Sequence, residues 1–182
     1  MELLKKRIVE EGIVLPGNVL KVDSFLNHQI DPHLSVAMGK EFARLFGDRK
    51  IDRVLTIEAS GIAIGLTTAL TLDVPLVFAR KKKSVLLQEE AYATDVFSYT
   101  KKTTSTITVL KKFLPAGENV LIVDDFLANG DASIGLAKLV EAAGSKVAGV
   151  GIVVEKAFQQ GHARLVEKGY AVKALASIKS PE

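Results

Sequence analysis

Two adjacent aspartates, Asp124 and Asp125, follow a short apolar run and are the residues of this chain best suited to chemistry. The run before them, residues 120–123, has the length and branched side chains of a buried strand. Paired carboxylates at a strand end can accept hydrogen bonds from a sugar diol or lie near a magnesium ion. We interpret the pair as candidate catalytic residues; the alternative is that the two acids only cap a strand and a helix.

A short glycine-containing loop, residues 126–131, leads from the acid pair into a predicted helix over residues 132–143. Backbone N–H groups of such a loop, together with a helix N-terminus, form a site for phosphate. The helix dipole contributes only about 0.3–1 kcal/mol at an exposed terminus, so the hydrogen bonds matter more. The competing phosphate patterns, GxxxxGKS/T and GxGxxG, do not occur in the chain. The acids and the loop together predict a phosphorylated sugar as ligand.

The whole segment, VLIVDDFLANGDA, resembles the phosphoribosyl diphosphate (PRPP) signature of the type I phosphoribosyltransferases, which transfer a ribose phosphate from PRPP to a base. In that family the two acids and two apolar residues precede Ala-Thr-Gly-Gly-Thr. The resemblance implies that the acids hold the ribose hydroxyls. It also implies that the 5′-phosphate is held by Ala128, Asn129, Gly130, Asp131 and Ala132.

This chain departs from the family pattern at three positions of the phosphate loop, where two threonines and one glycine are missing. Asn129 can supply a polar side chain in place of the first threonine. Asp131 is the unfavourable change, because a carboxylate repels a phosphate, and we expect its side chain to point away. The departures weaken side-chain contacts and leave the backbone cradle available.

Two further segments resemble the diphosphate site of the same family. The sequence TIEASG, residues 56–61, resembles its strand-turn loop, so that the backbone amides of Ala59, Ser60 and Gly61 contact the diphosphate. Lys81 follows the run VPLVFA and matches a cation that would stabilise the departing diphosphate. Without the resemblance, Ser60 reads as a simple helix N-cap, and the four cations at residues 80–83 read as a solvated charged surface.

Base recognition is implied by LKVDSFLNHQIDP, residues 20–32, and VVEKAFQQG, residues 153–161, which resemble the xanthine-using members of the family. The resemblance implies that Leu20, Asn27 and Lys156 bind the purine. An ammonium group can donate to a 6-oxo group but cannot accept from a 6-amino group, so Lys156 disfavours adenine. Taken alone, these residues read as a core leucine, a turn asparagine and a surface lysine.

Alternating strands and helices have to position these segments. Short apolar runs predict strands at residues 53–58, 74–79, 119–123, 147–154 and 172–178, with helices near residues 62–72, 132–143 and 160–168. This order is typical of an α/β, doubly wound, mainly parallel sheet, on which ligands bind at the carboxyl ends of the strands. It matches the fold that the family resemblance implies.

The remaining segments form two appendages of a single predicted domain over residues 1–182. Residues 1–32 contain a predicted helix that ends at Gly12 and a mostly irregular stretch. The family resemblance implies that they form a small N-terminal hood over the base. Asp31 and Pro32 predict the N-cap and first position of the next helix. The family resemblance implies a flexible ribbon within residues 84–106 that closes over PRPP and reaches a neighbouring subunit, which predicts a homodimer.

Composition restricts the remaining function classes. The 182 residues are 48% hydrophobic and 25% charged, as in a folded domain, and the net charge of +3 is too small to indicate nucleic acid binding. The chain has no cysteine, and its N-terminus lacks the pattern of a signal peptide, which is compatible with a cytoplasmic protein. Residues 59–79 carry one charge, Asp73, but are interrupted by polar residues, glycines and a proline, which favours a helix and a strand over a membrane span.

The resemblance as a whole implies transfer of ribose 5-phosphate from PRPP to xanthine, with Mg²⁺ as cofactor and Asp124 or Asp125 as its possible protein ligand. Guanine or hypoxanthine as the base is the nearest alternative. A PRPP-sensing regulator without catalysis is a second alternative, but the first 32 residues are too short and irregular for the winged helix that such proteins carry.

Overall fold

The computed structural model describes residues 1–17, 19–81, 90–98 and 102–179. In chain order its elements are α1 (Glu2–Glu11), β1 (Ile13–Leu15), β2 (Val19–Lys21), a π-helical turn (Asp23–Asn27), α2 (Pro32–Leu45), β3 (Arg53–Ile57), α3 (Gly61–Leu72), β4 (Leu76–Ala79), β5 (Ala91–Ser98), β6 (Thr103–Leu110), a 3-10 turn (Lys111–Phe113), β7 (Asn119–Leu127), α4 (Asp131–Ala142), β8 (Lys146–Lys156), α5 (Gly161–Glu167) and β9 (Val172–Ile178).

The central sheet has five strands in the order β4-β3-β7-β8-β9, and every neighbouring pair is parallel. Leu55 of β3 pairs with Val77 of β4 on one side and with Ile122 of β7 on the other. All five predicted strands are therefore present, and the doubly wound, mainly parallel sheet is confirmed. Parallel strands place their carboxyl ends at one edge, which is the edge where β3 and β7 lead into α3 and α4.

Helices cover both faces of the sheet and bury two apolar clusters. Val120 and Ile122 of β7 belong to the cluster under α4 and α5, whereas Leu121 and Val123 belong to the cluster under α1, α2 and α3. All four side chains have no exposed surface, and burial of each contributes about 1.5–3 kcal/mol relative to exposure. In the described part of the chain, no helix is long and apolar enough to cross a membrane.

The start of α2 agrees with the sequence prediction. Asp31 is the N-cap, and its carboxylate accepts a hydrogen bond from the backbone N–H of Leu34 at 3.0 Å, with Pro32 in the first helical turn. The same carboxylate receives a hydrogen bond from Arg7 of α1 at 2.7 Å. Asp31 therefore also connects α1 to the start of α2.

The expectation of a mostly irregular segment between α1 and α2 is wrong. Strands β1 and β2 form a small antiparallel hairpin, and the π-helical turn follows it. Each strand has only three residues, which is too short for the hydrophobic period that predicts strands to be recognised in the sequence. Asn18, between the two strands, lies outside the described residues.

Strands β5, β6 and β7 are longer than the sequence predicted. Strand β7 continues through both aspartates to Leu127, because its parallel pairing with β8 continues as far as Leu127 and Glu155. Strands β5 and β6 pair antiparallel over eight residue pairs, from Ala91 with Leu110 to Ser98 with Thr103. They form the described part of the ribbon; residues 84–89 and 99–101 lie outside the described ranges.

Candidate active site

A cavity of about 430 Å³ lies at the carboxyl edge of the sheet. Its walls come from the ends of β3 and β7, the starts of α3 and α4, Lys81 after β4, and the β5–β6 pair. All the residues predicted to bind PRPP or to act in catalysis line this one cavity: Ala59, Ser60, Gly61, Lys81, Asp124, Asp125, Ala128, Asn129, Gly130, Asp131 and Ala132.

The acid pair forms the centre of the cavity wall. Asp124 is buried, and one of its oxygens accepts a hydrogen bond from the backbone N–H of Asp125 at 2.9 Å. Burial raises the pKa of Asp124 well above its usual value, and the adjacent charge of Asp125 adds to the shift, whereas Lys81 opposes it. The pair therefore favours ligands that bring positive charge or hydroxyl donors to the two carboxylates.

The phosphate loop is shaped by a glycine at the start of α4. Gly130 has φ of +84°, in the left-handed region that glycine adopts readily, and it is the N-cap of α4. The first N–H groups of a helix have no partners within it, and the first three residues of α4 all line the cavity. This arrangement suits an anion such as a phosphate.

The second loop joins β3 to α3 and places another helix N-terminus at the same cavity. A Cβ on Gly61 would lie 2.0 Å from the hydroxyl oxygen of Thr56, so only glycine fits there. Ser60 is the N-cap of α3, but its side chain makes no capping hydrogen bond. The Glu58–Ala59 peptide bond is cis. The carboxylate of Glu58 accepts a hydrogen bond from the backbone N–H of Lys81 at 2.6 Å, which ties the lysine to this loop.

The predicted base-binding residues do not line the cavity itself, although two of them lie next to it. The Asn27 side-chain amide donates a hydrogen bond to Asp125 at 2.7 Å. The Lys156 ammonium lies 5.9 Å from the ring centroid of Phe126, which lines the cavity. Leu20 is half-buried and packs against the apolar cluster under α1 and α2. The structure thus brings Asn27 and Lys156 to the rim of the cavity and leaves Leu20 within the hood.

The phosphoribosyl transferase domain family matches residues 29–178 of the chain. The chain belongs to this family. As a phosphoribosyltransferase it is a glycosyltransferase, which confirms the enzyme class predicted from the sequence. The match includes the acid pair, both loops and Lys81, so the cavity described above is the part of the fold that this family shares.

Relatives with the same family fold match nearly the full length. A xanthine phosphoribosyltransferase of Lactobacillus delbrueckii subsp. bulgaricus is 61% identical over 179 residues, which covers 98% of this chain and 95% of the relative. One from Listeria monocytogenes is 56% identical and covers 100% of this chain and 95% of the relative. An adenine phosphoribosyltransferase structure from Rhodothermus marinus has a TM-score of 0.78 at 24% identity and covers 98% of this chain and 100% of that one, which confirms the fold alone.

Several residues of this phosphoribosyltransferase cavity were not predicted. The β5–β6 pair contributes Val96, Ser98, Thr103 and Ser105 to the wall. Residues of β5 alternate between exposed and half-buried along the strand. This period of two is visible in the sequence over residues 91–96, where small or polar side chains alternate with larger ones, and it could have identified that part of the strand. Phe97 and Ser98 reverse the alternation.

Arg164 of α5 also escaped prediction. Its guanidinium donates to the backbone carbonyl of Asn129 at 2.5 Å and to the Asp131 carboxylate at 3.0 Å. The Asp131 side chain, unusual for the family signature, is therefore paired with a cation. No local pattern in the sequence connects two residues that lie 33 positions apart in this way.

The donors for a metal ion in this site are the oxygens of Asp124 and Asp125. Within the described ranges, no group of three or more histidine, cysteine or acidic residues is arranged to hold a metal ion. Magnesium is commonly bound by one or two carboxylates together with phosphate oxygens of the substrate and water. The two aspartates fit a magnesium ion of that kind.

Proposed function

We propose that the protein is a xanthine phosphoribosyltransferase, which transfers ribose 5-phosphate from PRPP to xanthine and yields xanthosine monophosphate and diphosphate. The observation that carries this proposal is the 61% identity, over 98% of the chain, to a relative of that name. The structure from Rhodothermus marinus is named an adenine phosphoribosyltransferase, but at 24% identity it carries no information about the base that this chain uses. The proposed setting is purine salvage in the cytoplasm.

The ribose phosphate is held from two sides in this proposal. The N–H groups at the start of α4 bind the 5′-phosphate, and Asp124 and Asp125 accept hydrogen bonds from the two ribose hydroxyls. Both groups line the same cavity, which supports this placement. The ribose ring is then fixed with its C1′ atom towards the remaining open part of the site, where the base enters.

The reaction exchanges one bond at C1′ for another and requires no nucleophile from the protein. The C1′–O bond to diphosphate breaks, and the electron pair leaves with the diphosphate. A ring nitrogen of xanthine forms the new C1′–N bond and loses its proton to a base or to water. Lys81 and the amides of Ala59, Ser60 and Gly61 stabilise the charge on the leaving diphosphate, which is the principal task of the site.

In this proposal, a magnesium ion supplies additional positive charge to the site. The described lining residues include the carboxylates of Glu58, Asp124, Asp125 and Asp131, but one ammonium group, that of Lys81. PRPP is itself strongly anionic, so a divalent cation bound with it supplies the positive charge that these residues lack. Asp124 and Asp125 are the residues that would hold it.

Selection of the base falls to the hood and to the end of β8. Lys156 donates to the 6-oxo group of xanthine, Asn27 donates or accepts through its amide, and Leu20 contacts the purine ring. The position of Lys156 beside Phe126 supports this role, because that ring lies at the boundary of the cavity. A site that hydrogen-bonds one substrate group can reject an analogue without it by about 10⁴–10⁵-fold.

Homodimer formation and closure of the ribbon over PRPP also belong to this proposal. Support for a second copy comes from α3, where Leu66 and Leu70 are 58% and 74% exposed. Adjacent exposed apolar side chains of this size are typical of surfaces that bind another protein. The molar mass in solution, measured by light scattering, tests the dimer.

A spectrophotometric assay with PRPP, Mg²⁺ and four separate bases tests the proposed activity. We expect turnover with xanthine at a kcat/KM above those with guanine, hypoxanthine and adenine. Comparable use of guanine or hypoxanthine would support the nearest alternative enzyme. A preference for adenine would contradict the role of Lys156. Absence of turnover with every base, together with PRPP binding, would indicate a regulator.

A further inference from the structure

Helix α5 is packed directly against the phosphate loop. The backbone N–H of Gly161, the first residue of α5, donates to the carbonyl of Ala128 at 2.9 Å. A Cβ on Gly130 would lie 3.0 Å from the Cα of Gly161, so the two backbones touch. The loop is therefore supported by α5 on the side opposite to the cavity.

Arg164 extends this contact to the polar groups of the loop. Its guanidinium binds the carbonyl oxygen of Asn129 and the carboxylate of Asp131, and the Arg164 and Asp131 side chains are 35% and 20% exposed. Charge-assisted hydrogen bonds of this kind are about twice as strong as neutral ones. One side chain thus holds two acceptors of the loop at once.

These two acceptors are the groups of the loop that would oppose phosphate binding. The Asp131 carboxylate carries the same sign of charge as a phosphate, and the carbonyl of Asn129 presents a partial negative charge. With both acceptors engaged by Arg164, the loop presents its N–H groups to the cavity. The same cation reduces the negative potential that Asp131 adds to the cavity wall.

We infer that Arg164 is a positioning residue for phosphate recognition, which compensates the acid at position 131. It acts on the ligand through the loop and does not belong to the wall of the cavity. The inference rests on the proposed function only in that the phosphate is the 5′-phosphate of PRPP. It explains how a loop with aspartate at this position serves the same purpose as the glycine of the family pattern.

The test is the effect of Arg164→Met in two backgrounds, the wild-type chain and Asp131→Gly. In the wild-type background we expect the KM for PRPP to rise about 10- to 100-fold, because an unpaired carboxylate then faces the phosphate. In the Asp131→Gly background the same change is expected to raise that KM less than about threefold, since only the bond to Asn129 is lost. In both backgrounds kcat and the KM for xanthine change little.

Arg49→Met is a matched control. Arg49 also donates to a backbone carbonyl, that of Ala148 at 2.7 Å, and lies 3.7 Å from an acid, Asp48, but these residues are remote from the cavity. We expect its KM for PRPP to equal that of the wild type. Equal effects of Arg164→Met in the two backgrounds, or an unchanged KM in the wild-type background, would overturn the inference.

A direct binding measurement tests this inference independently of the proposed reaction. Calorimetric titration with ribose 5-phosphate measures phosphate recognition without any base, so it remains informative if the wild-type protein fails to turn over. The affinity should fall in Arg164→Met and recover when Asp131→Gly is added. If Arg164→Met is unfolded by circular dichroism, Arg164→Lys replaces it, with an expected intermediate loss, because lysine keeps the charge but not the forked geometry. Wild-type affinity in whichever of the two variants is folded and measured would again contradict the inference.

Discussion

The two sides of the cavity are built in different ways. The proposed phosphate side consists of two continuous loops, each leading from a strand into a helix, and the groups that we propose for binding are backbone amides. The proposed base side is assembled from single side chains on three separate elements, namely β2, the π-helical turn and the end of β8. Both sides meet at Asp125, which lines the cavity and accepts the hydrogen bond from Asn27.

Because of this difference, the two sides depend on different features of the sequence. Backbone recognition needs only a glycine at the correct position and a helix that begins there, which local sequence specifies. Side-chain recognition needs distant segments to be packed at a fixed separation, so it depends on how the hood folds. We therefore expect changes on the phosphate side to alter PRPP use, and changes on the base side to alter the use of xanthine.

The largest effect is expected at the acid pair, where the two sides meet. Replacement of both acids by amides, Asp124→Asn with Asp125→Asn, removes the charged acceptors for two ribose hydroxyls. Each lost charge-assisted hydrogen bond costs about 1.5–3 kcal/mol, so kcat/KM should fall on the order of 10³-fold. Steady-state assays at saturating Mg²⁺ measure this, with Asp48→Asn, at an exposed position that does not line the cavity, as a control of matched chemistry. A loss below tenfold would mean that the acids do not hold the ribose.

The second prediction isolates the base side. Lys156→Ala should raise the KM for xanthine about 10- to 150-fold, because a charge-assisted hydrogen bond to the 6-oxo group is lost. The KM for PRPP should stay within about twofold. Lys138→Ala, a change at an exposed lysine of α4, is the matched control and should leave both constants unaltered. A rise in the KM for PRPP instead would place Lys156 on the phosphate side.

The phosphate side was largely predictable from the sequence, whereas the base side was not. The glycine loop before α4 and the acids before it form one uninterrupted segment, and the structure places all of it except the buried Leu127 on the cavity wall. The base-binding residues were named only through family resemblance, because the hairpin and the π-helical turn that carry Leu20 and Asn27 lack a hydrophobic period. Arg164 was missed because its pairing with Asp131 is formed only when α5 packs on the loop.

A third prediction concerns the free energy of unfolding without substrate, which the buried acid pair lowers. The pKa of Asp124 is raised by burial and by Asp125, so its ionised form is less stable in the folded than in the unfolded chain. This destabilisation is complete above the folded-state pKa, shrinks as the pH falls through it, and vanishes below the unfolded value of about 3.9. Asp124→Asn should therefore raise the melting temperature at pH 8.

The size of that increase is expected to be at least about 2 °C, since 1 kcal/mol corresponds to about 2–4 °C in a chain of this length. Thermal unfolding followed by circular dichroism from about pH 8 to pH 4 should show the gain disappear at the acidic end. Asp95→Asn, at an exposed position, should show no such dependence. A gain that is constant with pH would mean that Asp124 ionisation is not its cause.

The smallest expected effect tests whether the two sides are independent. Asn27 is exposed, so loss of one proposed hydrogen bond to xanthine in Asn27→Ala removes about 0.5–1.5 kcal/mol, or about 2- to 12-fold in the KM for xanthine. The same change removes the hydrogen bond from Asn27 to Asp125. If Asn27 only binds the base, the KM for PRPP is unchanged and the division into two sides holds. If Asn27 also orients Asp125 for the ribose, both constants rise together. Asn27→Asp distinguishes these cases further, because a carboxylate there repels Asp125 and should affect PRPP first. An increase in the KM for xanthine alone in both variants would place recognition by Asn27 entirely on the base side.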